Sequence, residues 1–153
     1  MLHTGDSAPG FDLSNQSGEQ VSLDALLRRG PLVLYFYPAD FTPGCTREAC
    51  AFAALDPELQ RHGLTIAGIS PQNPDSHTRF RSQHGLPFTL LSDPVKEVIR
   101  LYGADGPLGF GVRRISYFID TRRRIRAALR ADFRIGAHER FVRRAMVLAD
   151  SLR

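Results

Sequence analysis

The 153 residues contain no tryptophan, one lysine (Lys96) and two cysteines, Cys45 and Cys50. Two cysteines cannot build the disulfide framework of a small secreted domain. They lie five residues apart, so there is neither the Cys-x-x-Cys of a dithiol reductase nor a paired zinc-ligand spacing. The five histidines (His3, His62, His77, His84, His138) show no ligand spacing with them, and neither a metal site nor a cofactor is expected. Gly103 to Gly111 is rich in glycine but lacks the Lys-Ser/Thr and the strand–helix setting of a phosphate loop. No apolar run is long enough to span a bilayer, so no membrane association is expected. The opening residues carry His3 and Asp6 and no apolar signal core. No secretory leader is expected, and the cytoplasm is the expected compartment. Repeats, low-complexity tracts and linkers are absent too, so a single domain over 1–153 is expected.

The formal charge is +4, nearly all of the basic residues being arginine. They are scattered rather than gathered into a stripe. Arg122-Arg123-Arg124 falls in what reads as a turn between two strands, and no nucleic-acid partner is expected.

Phe11 to Leu13 and Gln20 to Leu23 flank the turn signal Asn15-Gln-Ser-Gly18, which predicts an N-terminal β-hairpin. Asp24 is the expected cap of a short helix from Ala25 to Arg29. Leu32 to Tyr37 and Leu64 to Ile69 are continuous apolar runs, the pattern of strands buried on both faces. Between them a helix is predicted from about Pro43 to His62, with a kink or break near Asp56 caused by Pro57. Asp75 is the expected cap of a helix to His84. Phe88 to Leu91 predicts a strand, Val95 to Tyr102 a helix and Gly103 to Gly111 a loop. Arg114 to Ile119 and Ile125 to Ala131 read as an antiparallel pair. Ala137 to Leu152 reads as an amphipathic helix with Phe141, Ala145, Leu148 and Leu152 on one face. The alternation gives an α/β fold with a mixed central sheet flanked by helices. The order βαβ then ββα is that of the thioredoxin-like fold.

Chemistry concentrates in Tyr35-Phe-Tyr-Pro-Ala-Asp-Phe-Thr-Pro-Gly-Cys-Thr-Arg-Glu-Ala-Cys50. An apolar strand ends at Pro38. Thr42 followed by Pro43 reads as a helix N-cap with proline at the first helical position. Cys45 then sits in the first turn, where free backbone N–H groups and the helix dipole favour a thiolate. A thiolate with a second cysteine five residues on points to redox chemistry.

The motif Pro38-x-x-x-Thr42-x-x-Cys45 resembles the active-site motif of the peroxiredoxins. With Cys50, the chain looks most like their Q subfamily, the bacterioferritin comigratory proteins. Gly5 to Leu13, Gly85 to Pro94 and Arg114 to Asp120 are similar to the family in the same order. The resemblance implies the N-terminal hairpin and a helical insertion between Asn73 and Tyr102 on the thioredoxin-like fold. It implies a thiol peroxidase of the atypical two-cysteine type, a monomer or weak homodimer, acting on hydrogen peroxide and organic hydroperoxides.

What the resemblance implies for single residues stands beside a plainer reading of each. Cys45 is the attacking thiolate. Thr42 hydrogen-bonds the sulfur and the peroxide, or only caps the helix through the Cys45 N–H. Pro38 shields the thiolate, or merely ends a strand. Arg114 supports the thiolate. Arg113 is its neighbour, and strand alternation lets only one of the two face the site. Glu48, one turn after Cys45, orients the arginine, or is a surface carboxylate beside Arg47. Cys50 is the resolving cysteine, or a buried bystander. In an intact helix residues five apart have Cα atoms about 8.6 Å apart, whereas a disulfide tolerates roughly 7 Å. Forming the Cys45–Cys50 bond therefore requires local unwinding. The implied cycle runs from a Cys45 sulfenic acid to that disulfide, which thioredoxin or a similar dithiol reduces. A thioredoxin-like disulfide reductase is the competing enzyme reading and lacks its Cys-x-x-Cys. A small basic adaptor leaves Pro38, Thr42 and the placement of Cys45 unexplained.

Overall fold

The computed structural model describes residues 1–152. The strands are β1 (Asp12–Asn15), β2 (Gln20–Ser22), β3 (Leu32–Phe36), β4 (Thr65–Ser70), β5 (Thr89–Ser92), β6 (Ile115–Ile119) and β7 (Ile125–Arg130). They form one sheet in the order β2-β1-β5-β4-β3-β6-β7. β3 pairs in parallel with β4, and β4 with β5, while β6 runs antiparallel to β3. The sheet is mixed, with the buried strands β3 and β4 at its centre, as their unbroken apolar runs require.

Alternation along β3 divides the core. Val33 and Tyr35 face one layer, with α2 (Pro43–Arg61), α3 (Pro74–His84) and α5 (Ile135–Ser151). Leu32, Leu34 and Phe36 face the other, with α1 (Leu23–Leu27) and α4 (Glu97–Leu101). Tyr35 fits beneath α2 because Gly68 lies opposite it on β4. A Cβ at Gly68 would come within 2.8 Å of the tyrosine ring. Among the described residues no helix is long and apolar enough to cross a membrane.

Several local expectations are corrected. α1 begins at Leu23, and Ser22 rather than Asp24 caps it, its hydroxyl accepting from the Ala25 N–H. Asp24 instead receives two hydrogen bonds from Arg123. Asn73, not Asp75, caps α3, with Pro74 at its first position. α2 continues through Pro57 without a break. A proline inside a helix costs about 3 kcal/mol. Buried Phe52, Leu55 and Leu59 hold both sides of it against the core and offset that cost. A 3-10 turn at Pro107–Gly109 interrupts the glycine-rich loop. α5 begins two residues early, and its buried stripe is His138, Phe141, Val142, Ala145, Met146 and Ala149. Leu152 is 42% exposed, since the stripe drifts away from it by the last turn.

Candidate active site

β3 delivers the chain to the C-terminal edge of the sheet, where open α/β folds place their sites. Residues 37–42 turn there, and α2 starts with Cys45 in its first turn. Phe41 takes the turn at φ 67, a left-handed conformation rare for an aromatic residue. Its ring packs edge-on against Phe80 of α3, centroids 5.2 Å apart. That turn brings the Ala39 carbonyl to the Thr42 hydroxyl, which donates to it at 3.1 Å. Thr42 is therefore the N-cap residue by backbone conformation, but its side chain makes no cap hydrogen bond.

A buried polar network holds the turn from below. Tyr37 donates to Asp40 Oδ1 at 2.7 Å, and Ser76 donates to Asp40 Oδ2 at 2.7 Å. His77 Nδ1 is 2.7 Å from Asp40 Oδ2, and its Nε2 is 3.1 Å from the Leu91 carbonyl. Both ring nitrogens face acceptors, and the ring pairs with the Asp40 carboxylate. Burial works to raise the Asp40 pKa. The hydrogen bond and charge of His77, with the Tyr37 and Ser76 bonds, outweigh it and hold the carboxyl below its usual range. Gln72 closes the network, accepting from the Asp40 N–H at 3.0 Å and donating to the Pro38 carbonyl at 3.3 Å.

The antiparallel register supplies the cation. Ile115 pairs with Phe36, so Arg114 stands beside the end of β3. Arg114 shares its face with Ser116 and Phe118, on the α2 side of the sheet, and Arg113 takes the other. Arg114 Nη2 donates to Cys45 Sγ at 3.1 Å, and Nη1 donates to Glu48 Oε1 at 3.1 Å. Arg113 Nε donates to the Asp105 carbonyl instead. Gly44 makes the approach possible, because a Cβ there would lie 2.8 Å from Arg114 Nη2. Asp132 Oδ1 accepts from the Arg114 N–H at 2.9 Å and fixes the backbone behind the guanidinium.

Glu48 is not a surface carboxylate. It is 1% exposed, while Arg47 points to solvent. Burial pushes its pKa up to about 7, against the opposing charge and hydrogen bond of Arg114. His138 of α5 lies next to it, Nδ1 3.7 Å from Glu48 Oε2. Its Nε2 donates to the Ala131 carbonyl at 2.9 Å, and Nδ1 sits 2.8 Å from the Ser116 hydroxyl. Burial lowers the His138 pKa.

The cysteines differ sharply. Cys45 is 1% exposed, Cys50 is exposed, and both are free thiols. They lie on one unbroken helix. A cleft of about 710 Å³ opens beside Cys45, with Pro38, Gly44 and Arg114 at its base. Phe110, Phe133 and Ile135 give it apolar walls, and Arg47, Arg113 and Arg130 stand around it.

The structure thus gathers Pro38, Thr42, Cys45, Glu48 and Arg114 at one end of the sheet and leaves Cys50 on the outer face of α2. The sequence reading passed over Asp40, His77, Ser116 and His138. A signal existed for the two histidines. His77 stands three residues before Phe80, and His138 three before Phe141, on the faces their helices bury.

Known proteins share the sequence family and the fold. The AhpC/TSA family model matches residues 4–128. A putative peroxiredoxin bcp of Coxiella burnetii is 39% identical over 125 residues, which is 78% of this chain and 82% of that protein. The crystal structure of peroxidoxin BcpB from Mycobacterium tuberculosis superposes with a TM-score of 0.90 at 34% identity, covering 100% of this chain and 99% of that one. The bacterioferritin comigratory protein of Xanthomonas campestris gives 0.83 at 29% identity, over 91% and 92% of the two chains. Its structures, of a trapped intermediate and ligand complex, address its alkyl peroxide reduction activity. The fold is the thioredoxin-like fold of these structures.

Proposed function

Because the chain belongs to the AhpC/TSA family, in its bacterioferritin comigratory protein or peroxiredoxin Q branch, and is a peroxidase oxidoreductase, we propose that it reduces hydrogen peroxide and organic hydroperoxides at Cys45. The Cys45 thiolate attacks the terminal oxygen of the peroxide. The S–O bond forms as the O–O bond breaks. The leaving oxygen takes the proton of the attacked oxygen and departs as alcohol or water, leaving a sulfenate that a solvent proton converts to the sulfenic acid. Cys50 then attacks the Cys45 sulfenic acid, forming a Cys45–Cys50 disulfide and releasing water. Thioredoxin or a similar dithiol returns both thiols by exchange.

The observation that carries this reading is the guanidinium of Arg114, 3.1 Å from Cys45 Sγ at the base of a cleft. A fixed cation beside a sulfur that is 1% exposed stabilises the thiolate and the charge that builds on the leaving oxygen. Thr42 has its hydroxyl hydrogen committed to Ala39, so toward a bound peroxide it can only accept. That suits the O–H of a hydroperoxide. Pro38 walls the cleft, and Glu48 takes the second arm of Arg114. The apolar walls suit organic hydroperoxides as well as hydrogen peroxide, in line with the alkyl peroxide activity of the Xanthomonas relative. Residues 1–153 would act as one cytoplasmic domain, as a monomer or weak homodimer.

The test is paired substitution. Cys45→Ser should abolish peroxide consumption. Cys50→Ser should complete one turnover and accumulate sulfenic acid at Cys45, read by mass after dimedone trapping. Continued peroxidase activity in Cys45→Ser would refute the assignment.

A further inference from the structure

The geometry points to a neutral Glu48 in the peroxide-reactive enzyme: the carboxyl carries a proton on Oε2 while Oε1 accepts from Arg114, leaving the guanidinium charge to the Cys45 thiolate. The inference rests on Cys45 as the reacting thiol. Glu48 touches Arg114 rather than the peroxide, so it is a positioning residue.

The two carboxyl oxygens sit in unlike surroundings. Oε1 receives Arg114 Nη1 at 3.1 Å, whereas Oε2 is buried and has no hydrogen-bond partner among the described residues. A charged carboxylate oxygen left dry and without a donor is costly, and a protonated one much less so. The nitrogen facing Oε2 does not help an anion. His138 Nε2 faces the Ala131 carbonyl and must hold a proton. In the neutral ring Nδ1 is then a lone pair, taking the Ser116 hydroxyl hydrogen. That lone pair is taken by Ser116 and, 3.7 Å away, gives an anionic Oε2 no donor.

Charge counting leads to the same place. Cys45 and Glu48 lie one turn apart on α2 and reach the two arms of one guanidinium. Two anions on one buried cation leave a net negative charge in a dry site, and one anion does not. From β3, Tyr35 also faces the group. Its phenol is buried, unpartnered and pushed well above its usual range, first by burial and then by Glu48 and Cys45. From the loop before α5, Asp132 binds the Arg114 backbone N–H. Neither offers a compensating positive charge. The rise of the Glu48 pKa to about 7 is in the same direction.

The consequence is a loss of reactivity on the alkaline side. When Glu48 ionises it competes for Arg114 and places a second negative charge beside the sulfur. Other facing groups do not produce this limb. Tyr35 stays neutral there, His138 charges only on the acid side, and ionisation of Cys45 itself raises the rate.

The experiment measures the second-order rate constant of Cys45 oxidation against pH, by mass, in wild type and Glu48→Gln. Gln keeps an acceptor for Arg114 and presents N–H groups where Oε2–H would be. The wild-type rate constant should fall at least about fivefold from about pH 7 to about pH 9, and Glu48→Gln should show no fall. Glu48→Ala, which also removes the Arg114 acceptor, should be slow throughout. The infrared carbonyl band of a protonated carboxyl, in wild type, should be present at about pH 6 and lost around about pH 7. Taken as the difference between wild type and Glu48→Gln, that band reads Glu48, independently of which cysteine reacts. Its absence from wild type, or an alkaline fall retained in Glu48→Gln, would overturn the inference.

Discussion

A guanidinium nitrogen reaches Cys45 only because residue 44 has no side chain. Gly44 leaves the space that Arg114 Nη2 fills, and any Cβ there would contest it at 2.8 Å. The adjacent Arg113 cannot substitute, since strand alternation turns it to the Asp105 carbonyl. Arg114→Ala should therefore slow peroxide attack by about two to three orders of magnitude, the usual loss for one preorganised donor. Arg113→Ala should change it by less than about threefold, as expected away from the reacting atoms. Stopped-flow oxidation under pseudo-first-order conditions measures both. Equal losses would show that Arg114 does not act on the sulfur directly. That only one of the two arginines faces the sulfur was open to sequence reasoning, because period-two alternation is strict, while the preference for Arg114 came from the family resemblance. The burial of Glu48 was not, because Arg47-Glu48 also reads as a surface pair until α5 is seen to close over it.

At the scale of the element, α2 carries two demands that conflict. The reduced enzyme needs an intact first turn, which holds Cys45 against Arg114. The proposed Cys45–Cys50 disulfide would need that same turn undone, because five helical residues separate Cα atoms by about 8.6 Å and the bond reaches roughly 7 Å. Cys50 is exposed, so freeing it disturbs little of the core. The Asp40–His77 pair and Gln72 hold the turn ahead of α2 independently of the helix. Local opening is expected to stop there and to spare β3. Amide hydrogen exchange should speed up over 46–54 in the disulfide form, with β3 amides unchanged. Equal protection of α2 in both redox forms would mean that the bond forms otherwise, for example between chains. The helix and its proline start were legible in the sequence. Thr42 is the N-cap residue as read, but the alternative of a cap bond through its hydroxyl fails because the left-handed Phe41, which brings the Ala39 carbonyl to it, leaves no mark in residue type.

For the whole molecule, the order of elements could be read because buried strands and amphipathic helices differ in period. The mixed sheet followed from βαβ succeeded by ββα. The errors lie at boundaries, where Ser22 and Asp24, or Asn73 and Asp75, compete as caps and tertiary pairing decides. Asp24 is drawn away by Arg123 from the far hairpin, a contact 99 residues distant in the chain. The networks below the site were the least legible part, since they join residues from the turn after β3, α3 and β5, or from α2, β6 and α5. We propose that the two thiols serve one purpose: the buried one meets peroxide and the exposed one resolves it. Adding one equivalent of peroxide to the reduced protein, quenching by acid and mapping the cysteines by mass tests this directly. The account predicts a sulfenic acid at Cys45 alone, followed by an intrachain Cys45–Cys50 disulfide at the same stoichiometry. First oxidation at Cys50, or a product with Cys45 still reduced, would contradict it.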